Sequence, residues 1–197
     1  MYGIEATVIP PPHAVSAEGT QDAPAALHDW GDGYHLVVSR LLPYKNVDVV
    51  INAFRGLNER LVVVGKGPME AELRAALPPN VRLLCGISDS ELRWVYSHAT
   101  TLVAASYEDF GLAPLEAASF GVPTLALRAG GFLDTIDEQV NGSFFDTVGV
   151  PQIRHAVTEN SDKTWNPAAI RKHAELFSED RFAERIRQQL QHVLAAS

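Results

Sequence analysis

The sequence predicts a doubly wound α/β domain, a parallel Rossmann-like sheet flanked by helices, with further helices at the carboxyl end. Three observations carry this. Short β-rich runs alternate with segments of helical periodicity from about residue 34 to about residue 145. The β-rich runs are continuously apolar rather than alternating, which is the pattern of a sheet buried on both faces. The links between runs are short, and strand–helix alternation with short links implies parallel strands joined by right-handed crossovers.

The elements follow in order. Residues 1–33 read as a lead-in, stiffened by Pro10, Pro11 and Pro12 and ending in the turn-forming stretch Asp29 to Gly33. The domain proper is expected over residues 34–197. Strands are expected at His35–Ser39, Leu61–Val64, Val81–Cys85, Thr101–Ala105 and Thr124–Leu127, with a short one at Ser143–Phe145. Between them lie helical patterns at Val47–Leu57, Met69–Leu77, Ser90–His98, Leu112–Phe120 and Phe132–Val140. Val47, Val50, Ile51 and Phe54 share one helical face, as a core-facing helix requires. Beyond about residue 150 the pattern is helical only, and Phe182, Ile186, Leu190 and Val193 form an apolar stripe within Trp165–Ala195.

Composition narrows the function classes. The 197 residues are 46% hydrophobic and 20% charged, ordinary values for a chain with a sizeable core. Sixteen Lys and Arg stand against 24 Asp and Glu, a net charge of -8. That balance argues against nucleic acid and anionic membrane as partners, because both reward clustered cations. Cys85 is the single cysteine, which excludes an internal disulfide and a cysteine-based metal site and fits a reducing compartment. Residues Met1 to Val15 show no signal-peptide pattern, and no apolar stretch is long enough to span a bilayer.

In open α/β sheets, ligands bind beyond the carboxyl ends of the strands. The residues there are Arg40 and Lys45 after the first strand and Gly65-Lys66-Gly67-Pro68 after the second. Gly86-Ile87-Ser88-Asp89 follows the third, Ser106 to Gly111 the fourth, and Gly130-Gly131 the fifth. Two cations, glycine turns, a carboxylate and several helix amino termini thus converge on one rim, which suits a diphosphate carrying something polyhydroxylated. Taken singly, each has a plainer reading. Arg40 and Lys45 serve equally as surface charges, and Gly65-Lys66-Gly67 as a mere turn. The glycines are not a dinucleotide fingerprint, since Glu70 holds the third glycine position. Glu116 lies in a helix apolar on nearly all sides and needs a partner, which an internal arginine would supply as well as a ligand. His98, His155, Cys85 and Trp94 read as packing or surface residues.

Together these residues resemble glycosyltransferase family 4, the retaining enzymes of the GT-B fold, across roughly residues 35 to 195. The strongest element is Glu108-Asp109-Phe110-Gly111-Leu112-Ala113-Pro114-Leu115-Glu116 followed by Gly121-Val122-Pro123. Val38-Ser39-Arg40-Leu41 with Lys45-Asn46, Val64 to Pro68, and Gly130-Gly131 with Asn141-Gly142 support it. The resemblance implies the nucleotide-sugar-binding half of such an enzyme. Arg40 and Lys45 would hold the donor diphosphate and neutralise the leaving charge, and Glu108 would accept hydrogen bonds from the transferred sugar. Phe110, Gly111 and Leu112 would present backbone amides, with Gly65, Gly67, Gly130 and Gly131 also at the donor. Glu116 would hold the ribose hydroxyls, and Ile87 and Asp89 would flank the base.

No cofactor and no metal are expected, because no Asp-x-Asp is present and the cations would replace the metal. The Glu-Asp-Phe-Gly form is similar to that of bacterial mannosyltransferases. It therefore implies a GDP-sugar, GDP-mannose, over a UDP-sugar. Asp109 and Asp134 depart from the common Gly and Glu of the family. The resemblance further implies a cytoplasmic protein, peripheral to the inner face of a membrane, with a lipid-linked acceptor. It also implies a preceding amino-terminal domain for that acceptor, of which Ile4 to Pro12 would be the end and the hinge. A non-catalytic nucleotide-sugar-binding module is the alternative that the same residues allow. A glycoside hydrolase using Glu108 and Glu116 would leave Arg40 and Lys45 without a role.

Overall fold

A computed structural model of the chain describes residues 7–195, so residues 4–6 of the expected hinge lie outside it. The strands are β1 (Tyr34–Val38), β2 (Leu61–Val64), β3 (Val81–Leu84), β4 (Ala99–Ala104), β5 (Thr124–Leu127) and β6 (Gly142–Phe145). The helices are α1 (Val47–Phe54), α2 (Glu70–Ala75), α3 (Asp89–Ser97), α4 (Leu112–Ser119), α5 (Phe132–Thr135), α6 (Val150–Ser161), α7 (Pro167–Ala174) and α8 (Glu179–Ala195). The strands form one six-stranded sheet in the order β3-β2-β1-β4-β5-β6. Every neighbouring pair is parallel, as the apolar runs require.

Side chains alternate across the sheet, and both faces are covered. Val37, Val63, Leu83, Val103 and Leu125 pack with Phe54 and Ile51 of α1 and Ile153 and Val157 of α6. Leu36, Val62, Val64, Leu84 and Leu102 face the other way, onto Val95 and Tyr96 of α3 and Ala117 of α4. Leu27 and Trp30, from the segment before residue 34, are buried in that second cluster. The lead-in therefore contributes core as well as connection.

One departure has a local cause. Helix α5 ends at Thr135 instead of continuing to Val140. Its last carbonyl is taken by the side chains of Asn141, at 3.1 Å, and His173, at 3.1 Å. The Asn141 amide oxygen also accepts from the Asp137 N–H at 2.7 Å, so the chain turns where periodicity would carry it on. The apolar stripe of α8 has no buried residue, with Ile186 and Leu190 37% and 58% exposed. Among the described residues, no helix is long and apolar enough to cross a membrane.

Candidate functional site

The strand order reverses direction between β1 and β4, which is the switch point where doubly wound sheets bind ligands. A cavity of about 520 Å³ opens there, lined by the carboxyl ends of both strands and by residues 108–114. Arg40, Lys45, Glu108, Phe110, Gly111 and Leu112 all lie on its wall.

The backbone that carries Arg40 is held from behind. Leu41 N–H donates to the Lys66 carbonyl at 2.9 Å, and Met69 N–H to the Leu41 carbonyl at 3.2 Å. A Cβ on Gly65 would stand 1.9 Å from the Ser39 carbonyl oxygen, and one on Gly67 2.4 Å from that of Leu41. These glycines let the β2 loop press against the β1 loop. They support Arg40 rather than line the cavity. The Arg40 side chain is exposed and donates to the Tyr44 hydroxyl at 3.2 Å.

A one-turn 3-10 helix, Pro43–Lys45, brings the second cation in. It ends on Asn46, which alone among the described non-glycine residues has positive φ, 55°. Asparagine tolerates that conformation because its side chain bonds locally. Here the amide donates to the Tyr44 carbonyl at 3.2 Å and across to Ala105, at the end of β4, at 2.8 Å. Lys45 thereby lies against β4, its side chain only 9% exposed, ion-paired with Glu108. The Ser106 hydroxyl donates to the same carboxylate oxygen of Glu108. The Lys45 ammonium also lies 4.8 Å from the centre of the Tyr44 ring, a cation–π contact.

The double glycine braces the other side. Gly131 N–H donates to the Glu108 carbonyl at 2.7 Å, and a Cβ on Gly131 would come within 2.2 Å of Phe110 Cα. Gly130 has φ of +58°, and a Cβ there would stand 2.3 Å from the Glu108 carbonyl oxygen. Gly111, also left-handed at φ 85°, starts α4 with no side-chain cap. The first-turn N–H groups of α4, at the cavity wall, lack intrahelical partners and carry the positive end of the helix dipole.

Glu116 lies one turn further along α4, outside the cavity wall. Its partner is the Tyr96 hydroxyl, which donates to Oε2 at 2.8 Å, and not the internal arginine that sequence alone allowed. Burial pushes the Glu116 carboxyl above the ordinary carboxylate range, while the Tyr96 bond and the charge of His13 pull it back down. Ile87 and Asp89 also lie off the cavity, at the end of β3, which β2 separates from β1. Ile87 packs on the second core cluster, and Asp89 is the exposed first residue of α3.

The sequence left four supporting residues unassigned. Ser106 and Asn46 sit beside assigned residues, and their position after a strand and before a helix was the available signal. Tyr44 and Tyr96 gave none, because what singles them out is a contact across elements.

The family profile described as "Glycosyl transferases group 1" matches residues 21–188. A GDP-mannose-dependent alpha-mannosyltransferase of Corynebacterium glutamicum is 33% identical over 123 residues, covering 62% of this chain and 30% of that protein. A glycogen synthase of Thermus thermophilus is 35% identical over 119 residues, covering 56% and 27%. Among solved structures, a sucrose-phosphate synthase of Thermosynechococcus elongatus superposes with a TM-score of 0.75 at 22% identity, over 96% of this chain and 53% of that one. An Anabaena protein solved with UDP and glucose, HepE, superposes at 0.65 and 21% identity, over 84% and 49%. The chain thus spans under a third of the curated relatives and about half of these structures. The profile covers most of the chain, and the chain belongs to the glycosyl transferases group 1 family, with the Rossmann-like architecture of its GT-B neighbours.

Proposed function

We propose that this chain is the donor-binding domain of a retaining hexosyltransferase. The observation that carries the reading is the meeting of Arg40, the Lys45–Glu108 pair and the uncapped start of α4 on one cavity at the switch point. A diphosphate fits two cations and a helix amino terminus. A sugar's hydroxyls fit the carboxylate beside them. Without donor, Lys45 and Glu108 neutralise each other. With donor, phosphate draws on the ammonium and a sugar hydroxyl on the carboxylate, so neither charge is left unpaired.

In the transfer, the bond from the anomeric carbon to the diphosphate oxygen breaks. The acceptor oxygen bonds to that carbon from the same face, and its proton passes to the departing phosphate. Negative charge grows on the leaving phosphate, and fixed cations gain most at that stage, which is what accelerates the step. The acceptor is contacted by the other half of the GT-B pair, so the 197-residue chain alone binds donor without transferring sugar. GDP-mannose is the favoured donor, supported by the Corynebacterium relative's dependence on it. A lipid-linked acceptor at the inner face of a membrane remains part of this reading.

Calorimetry with GDP, UDP, ADP and their common sugars tests it. GDP and GDP-mannose should bind most tightly, and EDTA should leave binding intact. Failure of every nucleotide to bind would refute the assignment, as would binding that EDTA abolishes and magnesium restores.

A further inference from the structure

Glu116 and its surroundings carry an inference that rests on the donor-site reading and goes beyond it. Helix α4 buries Pro114, Leu115, Ala117 and Ala118 around this carboxylate. Glu116 itself is half-buried, and a carboxylate in such a place loses part of its water and gains from protein donors. One strong donor reaches it. Tyr96 is fully buried, with its ring stacked on Phe120 at the end of the same helix, centroids 5.3 Å apart and planes 14° from parallel. Its hydroxyl takes Oε2 at 2.8 Å. Helix α3 is itself pinned beside Tyr96, because the Tyr34 hydroxyl of β1 donates to the Val95 carbonyl at 2.8 Å. A rigid chain of contacts therefore runs from the central strand through Tyr34 and α3 to one oxygen of Glu116.

We propose that Tyr96 is a positioning residue of the donor site: its O–H anchors one oxygen of Glu116 and fixes the direction in which the carboxylate is offered to the ribose hydroxyls. Among the described residues, the titratable groups that act on Glu116 are Tyr96 of α3, by a hydrogen bond, and His13 of the amino-terminal segment, by its charge. Burial favours the protonated acid, and the Tyr96 bond opposes it. A protonated carboxyl keeps less acceptor capacity than a carboxylate. Deleting the O–H therefore acts in two ways. The carboxylate loses its anchor, and it takes up a proton at higher pH than before.

Tyr96→Phe deletes the hydroxyl and keeps the ring. GDP binding is measured by calorimetry from mildly acidic to mildly alkaline pH, for wild type, Tyr96→Phe, Glu116→Gln and the double variant. Tyr96→Phe should bind GDP about tenfold more weakly at the acidic end, the scale of a lost bond to a charged group. The deficit should shrink as pH rises. Adding Tyr96→Phe to Glu116→Gln should change little, and that background should lack the pH dependence. A second readout needs no ligand: the carbon-13 NMR titration of the Glu116 carboxyl should move to higher pH in Tyr96→Phe. The same fold-loss at every pH, full additivity in the double variant, or an unmoved titration would each overturn the positioning role. A wild-type chain that binds no nucleoside diphosphate would overturn the donor-site reading itself, and the role with it.

Discussion

Arg40 and Lys45 are both cations at one cavity, yet the fold treats them differently. Lys45 is nearly buried and tied to Glu108, whereas Arg40 is exposed with a contact to the Tyr44 hydroxyl. Removing one partner of a buried pair strands the other charge, while an exposed contact contributes little. Lys45→Ala should therefore destabilise the ligand-free protein by roughly 1–3 kcal/mol, moderated because Ser106 still bonds Glu108. Arg40→Ala should stay within about 0.5 kcal/mol of wild type. Both should weaken GDP binding, since each removes a charge from the phosphate site. Urea unfolding of the two variants decides the first part, and equal stability losses would contradict the pairing. Sequence placed both residues after the first strand, and both line the cavity there. It could not tell buried from exposed, because that difference depends on Asn46 tying its turn to Ala105 across the sheet.

At the scale of elements, the site is held by loops that press on one another through glycines. Gly131 has an ordinary φ of -66°, so an alanine there suffers no backbone strain of its own. Its Cβ would nevertheless meet the Phe110 backbone at 2.2 Å, and the loop carrying Glu108 would have to move. Gly56 is the converse, with φ of +80° and open space where its Cβ would be. Gly131→Ala should cost about 1–3 kcal/mol and also weaken nucleotide-sugar binding. Gly56→Ala should cost about 1–2 kcal/mol from the left-handed backbone alone and leave binding unchanged. Thermal unfolding alongside calorimetry checks both, and unimpaired binding in Gly131→Ala would remove the double glycine from the site's architecture. The strands were legible to the residue at Leu61–Val64 and Thr124–Leu127, because short, mostly apolar and buried runs between turns leave one assignment. Helix ends were less so. Helix α1 stops at Phe54, short of Leu57. Asn80 takes the Phe54 carbonyl at 2.9 Å and Arg154 that of Ala53 at 3.0 Å. Side chains distant in sequence finish the helix, and periodicity carries no trace of them.

For the whole molecule, pH is the variable that separates scaffold from site. His35 lies on β1 in the middle of the sheet, 3% exposed, beside the Phe54 ring at 5.2 Å. Among the described residues its Nδ1 has no partner, and Glu59 stands 3.5 Å from Nε2. Burial lowers its pKa below the ordinary 6.5, and Glu59 only partly opposes this. The unfolded chain therefore binds a proton near 6.5 that the native state refuses. The stability linked to His35 is complete above that value and is lost as pH falls below it, with a slope of at most about 1.4 kcal/mol per pH unit. Glu116 has the opposite sign. Its carboxyl is raised above 4.5, so the native state takes up a proton first, and the strain of its charge is relieved as pH falls towards 4.5. His35 acts below 6.5 and Glu116 where its own carboxyl titrates, and their opposite signs tell the two contributions apart. Wild type should thus lose stability from neutral pH towards pH 5, a loss set by the sheet's core and not by the donor site. His35→Gln, neutral throughout, should flatten that part of the curve, whereas Glu116→Gln should leave the His35 slope in place and raise stability at neutral pH. Urea midpoints for the three proteins across this range decide the matter. A slope that persists unchanged in His35→Gln would mean that the acid sensitivity of the fold arises elsewhere in the molecule.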